Sequence, residues 1–160
     1  MITAQDFVGK WAVSIAYGSS KLNTFISENV PQILAELFGV EMYEEWEADD
    51  TLYPELFEPF SYQIANGGNN DIVHSKGVDV MLKNYVYAIY EKDAHITATS
   101  GGNVVLNQEG GKPQTDSTAT FIRFYNDAIS TFRAIQARIK DNKDDYPLFK
   151  GQDKQTTWFC

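Results

Sequence analysis

The chain has 160 residues, 43% of them hydrophobic and 14% aromatic, and a formal charge of −9. That is enough apolar material for one ordinary domain with its own core, and too acidic a balance for a protein that grips nucleic acid through a basic footprint. The only cysteine, Cys160, excludes an internal disulfide and any cysteine-built metal site.

No charged, apolar leader opens the sequence, and no apolar run reaches the roughly 18 residues that suggest a membrane span. The expectation is a soluble protein of a reducing cytoplasm, without a membrane partner. In chain order, Thr3 and Asp6 resemble a capping box. Phe7, Val8, Trp11, Ala12 and Ile15 then fit one face of a helix, yet Trp11, Val13, Ile15 and Tyr17 also alternate as a strand does. With Gly9-Lys10-Trp11 they spell the opening strand of a lipocalin-type barrel. Such a barrel needs about eight alternating strands, and the rest of the chain is mostly of helical period. The better reading is a first short helix with Phe7, Trp11 and Ile15 inward, stopped at Gly18-Ser19-Ser20.

From Lys21 to Gly39 the apolar residues Leu22, Phe25, Ile26, Ile33, Leu34 and Leu37 keep a period of 3.6. Pro31 predicts a break or restart near Val30, and Gly39 a C-terminal cap. Short helices are expected over VEMYEEWEADD and around LYPELFEPF. NGGNND at 66–71 reads as the tip of a long loop over 61–75. A buried helix follows, carrying Val78, Leu82, Tyr85, Val86 and Ile89. HITATSGGNVVLNQEGGKPQTDS changes character, and its Thr- and Val-rich runs around Gly101-Gly102 predict a β-hairpin or extended loop at about 96–114. Asp116 or Ser117 caps the longest helix, which runs to about residue 140. The remainder has no period and ends in Trp158-Phe159, the aromatic tip of an arm over 151–160.

Charge is unevenly placed. Residues 1–40 carry two basic and three acidic groups and residues 61–160 carry eleven of each, so the excess lies in 41–60. There Glu41, Glu44, Glu45, Glu47, Asp49, Asp50, Glu55 and Glu58 meet no Lys or Arg in sequence. This block is a solvated face, or a patch that repels DNA or attracts a basic partner.

Signals for chemistry are absent from the sequence. His74 and His95 have no metal-ligand spacing, EGGKPQ lacks the context of a phosphate loop, and no nucleophile elbow occurs. The expectation is a protein that is not an enzyme and takes no cofactor or metal.

Three segments in order resemble small head–tail connector (adaptor) proteins of tailed bacteriophages. ISENVPQILAELFGVEMYEEW resembles a helix ending in Leu-Phe-Gly before an acidic-Tyr-acidic helix. SKGVDVMLKNYVYAIYEKDAHITATSGGNVVLN is similar to a Gly-started aromatic helix with a Thr-rich segment after it. FRAIQARIKDNKDDYPLFKG resembles the family's closing helix and acidic-Tyr-Pro-Leu-Phe stretch.

The resemblance implies a mainly α fold, a small bundle of four to five helices with one protruding β-hairpin or loop and an extended C-terminal arm. It also implies a virion protein of the neck, assembled in the host cytoplasm. Its partners would be the portal protein, neighbouring copies in a dodecameric ring matching the portal, and stopper or tail proteins. DNA would pass through without specific binding. The candidate partner interface is Val104, Val105, Leu106, Tyr146, Pro147, Phe149, Trp158 and Phe159. Glu41, Glu44, Glu45, Glu47, Asp49 and Asp50 are the candidate acidic channel or surface patch. The alternative is a monomeric helical binding module, an adaptor or inhibitor.

Overall fold

The structure, a computed structural model, describes residues 1–13, 18–66, 69–94, 96–99, 102–105 and 116–153. Its elements in chain order are α1 (Gly18–Phe38), α2 (Val40–Ala48), α3 (Pro54–Phe57), β1 (Phe60–Asn66), β2 (Asn69–Ser75), α4 (Val78–Ala94), β3 (Ile96–Thr99), β4 (Gly102–Val105) and α5 (Asp116–Asp141), preceded by two 3₁₀ turns. The fold is mainly helical, as expected.

The first stretch is not one helix. Asp6 accepts from the Thr3 N–H at 2.7 Å and closes a turn over Ala4–Asp6, but Gly9 at φ +63° ends any helical continuation before a second turn at Gly9–Trp11. Phe7 is buried as expected, Trp11 only half-buried; Ile15 lies outside the described residues. The expected stop at Gly18-Ser19-Ser20 is instead the first turn of α1. A Ser-rich turn suits the start of a helix as well as its end, and the apolar period beginning at Leu22 needs a turn before it.

Pro31 does not break α1, which runs through it for 21 residues. The missing N–H would have bonded the carbonyl of Ser27, a solvent-facing residue, where the loss of one helical bond costs least. On the other side of the helix Val30, Ile33, Leu34 and Leu37 are fully buried. Packing on both sides of the proline outweighs one lost bond.

The main core cluster is fed by every helix: Leu34, Leu37 and Phe38 from α1, Met42 from α2, Leu56 from α3, Met81, Leu82 and Val86 from α4, and Phe132, Ile135 and Ile139 from α5; a smaller cluster joins Ala88 of α4 to Phe124, Tyr125 and Ile129 of α5. α4 and α5 make the most extensive pairing between helices, and α1 packs on both α2 and α4. A 26-residue α5 is about 39 Å long and spans the domain.

Two hairpins are present where one was expected. β3 and β4 pair antiparallel from Ile96↔Val105 to Thr99↔Gly102, inside the predicted hairpin. The second occupies the predicted loop, with β1 and β2 paired from Phe60↔Ser75 to Asn66↔Asn69. Phe60, Tyr62, Val73 and Ser75 are partly or fully buried, whereas Ser61, Gln63, Ile72 and His74 are exposed. That is the alternation of a half-buried ribbon, and β1 and β2 both lie on α5.

Candidate interaction surfaces

The acidic block forms a single face. α2 buries Met42, Tyr43 and Trp46 against the rest of the domain, and this leaves Val40, Glu41, Glu44 and Glu47 on its outer side with Asp49 and Asp50 just beyond. Phenols line its inner edge. Tyr43 donates to Glu47 at 2.9 Å, Tyr53 donates to Glu45, and Tyr146 donates to Glu55 at 2.6 Å. Burial, reinforced by the partner carboxylates, pushes Tyr43 and Tyr53 up to about 12 and Tyr146 further still. Two hydrogen bonds from Thr51 lower Asp49. The block does meet a cation: Lys150, distant in sequence, pairs with Glu41 at 2.6 Å. Glu44 and Asp50 stand exposed at its centre.

A groove of about 440 Å³ runs between β2 and α5, lined by Ile72, Val73, His74, Asn126, Ser130, Arg133 and Ala134. It arises because, among the described residues, β2 is hydrogen-bonded on one side only, to β1, and its other edge faces the outer side of α5. There Arg123, Asn126, Ser130, Arg133, Ala137 and Lys140 recur at helical spacing as a stripe, with Asp127 and Asp141 beside it and Lys140 paired with Asp153 at 2.5 Å. Lys76, after β2, pairs with Asp127 at its margin. Ser61 Oγ and His74 Nδ1 lie 2.9 Å apart on the outer face of the ribbon.

The segment after α5 folds back onto the end of α1. Helices leave their last carbonyls without internal partners, and here the Lys150 N–H bonds the Phe38 carbonyl at 3.0 Å and the Gln152 N–H the Glu36 carbonyl at 2.8 Å. Between them Gln136 Nε2 donates to the Leu37 carbonyl at 3.1 Å and to the Gln152 carbonyl at 3.0 Å. Two glycines permit the approach. A Cβ on Gly39, which sits at φ +86°, would lie 2.8 Å from the Lys150 backbone, and one on Gly151 would lie 2.1 Å from the Leu37 carbonyl oxygen.

This corrects part of the expected partner interface. Tyr146 is buried, with its ring beside Tyr53 and its hydroxyl on Glu55, and Phe149 packs against the core. Both anchor residues 142–153 on the domain itself, Tyr146 beside α3. Pro147 is exposed. Gly151 and Gln152, the first residues of the expected arm, are likewise tied to α1 and α5. Val104 and Val105 lie on β4; Leu106, Trp158 and Phe159 lie outside the described residues, as does His95.

Among the described residues no group of three or more His, Cys, Asp or Glu is placed to hold a metal ion, and no helix is long and apolar enough to cross a membrane. The groove is the feature sequence reasoning missed. Its signal was present in Asn-Gly-Gly-Asn between two alternating runs, the spelling of a tight hairpin. Comparison with family models, with curated proteins and with solved structures returns no match.

Proposed function

We propose that this protein is a structural component of a bacteriophage neck, a ring-forming connector that joins portal to tail, without catalytic activity. The observation that carries the reading is the ordered set of three segments that resemble connector proteins. Each falls on a junction that the fold uses. The first spans the Gly39 corner between α1 and α2, the second α4 and the β3–β4 hairpin, and the third the end of α5 with the segment docked on α1. A small helical domain with a projecting acidic face and an open groove suits contacts between different surfaces of neighbouring copies.

The test is to mix the purified protein with portal-bearing particles and look by negative-stain microscopy for an added ring of density at the portal vertex. Addition of the ring is expected. A protein that stays monomeric and never joins the particles would favour the helical binding module.

A further inference from the structure

We infer that the groove between β2 and α5 is a docking site for the α2 face of a second copy of this chain. The inference stands on the two surfaces themselves and does not need the neck reading.

Among the described residues the exposed large hydrophobic side chains are Met1, Val8, Val40 and Ile72. Two of these mark the proposed contact. Val40 is 59% exposed at the start of α2 and Ile72 is 61% exposed in the groove wall. Val40, Glu44 and Glu47 stand at i, i+4 and i+7, so they form one stripe along two turns of helix. The groove presents the opposite set: Ile72 on the strand side and Arg133 on the α5 side.

The dimensions agree. From Val40 to Glu47 the α2 stripe is about 10 Å long, as is the run from Asn126 to Arg133 on α5. A groove of about 440 Å³ is too small for a whole helix and suits the side chains along one helical edge. In the docked arrangement Val40 meets Ile72, and Glu44 and Glu47 lie toward Arg133. This is the helix-in-groove mode of recognition, with charge setting the orientation.

The two surfaces share no residue. Each copy therefore offers one α2 face and one groove, and the contact is head-to-tail, which propagates into a ring or an open chain. On this assignment the acidic face is turned toward the neighbouring copy rather than toward a channel.

Sedimentation velocity of the full chain at rising concentration tests it. The wild type is expected to form species larger than a dimer, with an apparent Kd that rises about tenfold or more as salt is raised from low to high ionic strength. Arg133→Glu and Glu44→Lys should each weaken association by about tenfold, and an equimolar mixture of the two should regain it, because every contact between unlike copies then brings opposite charges together. Ile72→Ser, which changes no charge, should weaken it about fivefold through lost apolar contact. All three positions are exposed, so unchanged thermal transitions are expected. A wild type that is monomeric at every concentration and ionic strength would overturn the inference. So would a charge variant that associates as the wild type does, or a mixture that stays monomeric.

Discussion

Residues 1–13 and residues 142–153 both lack a hydrophobic period, and both lie against helices formed elsewhere in the chain, yet different groups hold them. The N-terminal stretch is fastened by side chains. Ile2 and Phe7 are buried, Asn23 Oδ1 accepts the Ala4 N–H at 2.9 Å, and Trp11 Nε1 donates to Asn84 Oδ1 at 2.7 Å. The C-terminal stretch has side-chain anchors too, in Tyr146 and Phe149, but adds main-chain attachment through the two N–H groups that complete the last turn of α1. Attachment by main chain depends on how closely two backbones can approach, and attachment by side chain on which groups are present.

The sharpest way to break the comparison is to add one carbon where the backbones meet. Gly151→Ala places its Cβ against the Leu37 carbonyl oxygen and the Phe149 ring at once, and neither backbone can yield without losing the bonds at Lys150 and Gln152. The expected loss is about 3 kcal/mol of unfolding free energy, at the upper end for overpacking, read by chemical denaturation. A loss below about 0.5 kcal/mol, the range of an ordinary surface substitution, would mean that the segment is not held by close approach.

Trp11→Phe makes the corresponding change at the other end. Asn84 is fully buried; among the described residues its Nδ2 has no partner, and its Oδ1 accepts from Trp11. Removing that donor should cost about 1–2 kcal/mol. Replacing Asn84 by Leu in the same background should recover part of the loss, because no buried amide is then left unpaired. If Trp11→Phe is neutral while Trp11→Ala is costly, the ring's packing and not its N–H fastens this end.

How much of this was legible depends on the kind of force involved. The helices were readable because burial imposes a period, and Leu22 to Leu37, Val78 to Ile89 and Phe121 to Ile139 display it. Gly39 was readable because the left-handed region favours glycine. Pro31 misled, since a local rule predicted a break and the burial of Val30 and Leu34 overrode it. The β1–β2 ribbon was hidden by its Asn and Gly residues, which serve a loop and a hairpin tip equally well. Least legible was the destination of Tyr146 and Phe149. Aromatic residues on a segment without period look the same whether they meet a partner or their own core, and only the hydrogen bonds to α1 decide between the two. The candidate groove required two elements distant in sequence, β2 and α5, to be laid side by side.

Alkaline pH probes the phenols that link the acidic face to the C-terminal region. Tyr43 and Tyr53 titrate near 12 in the folded protein against an ordinary value near 10, and Tyr146 is raised further. Each is a neutral donor to a carboxylate when folded, so the unfolded chain loses these protons first. Stability is therefore expected to be level below about pH 9 and to fall as pH rises from about 10 to 12. Tyr146→Phe should remove part of that dependence. A stability that does not change across this window would show that the phenols are not protected in the folded state.

The smallest expected effect sharpens the comparison most. Lys150 takes part in the C-terminal attachment twice, through its main-chain N–H on the Phe38 carbonyl and through its ammonium group on Glu41. The ion pair is exposed, with 65% and 53% of the two side chains accessible, and such pairs contribute about 0–1 kcal/mol and are screened by salt. Lys150→Gln keeps the N–H and removes the charge. If the main chain holds this segment, the substitution should shift unfolding by less than about 0.5 kcal/mol, and the shift should vanish at high salt. A loss comparable to that of Gly151→Ala would instead make the charge on Lys150 the fastening, and the contrast between the two ends of the chain would disappear.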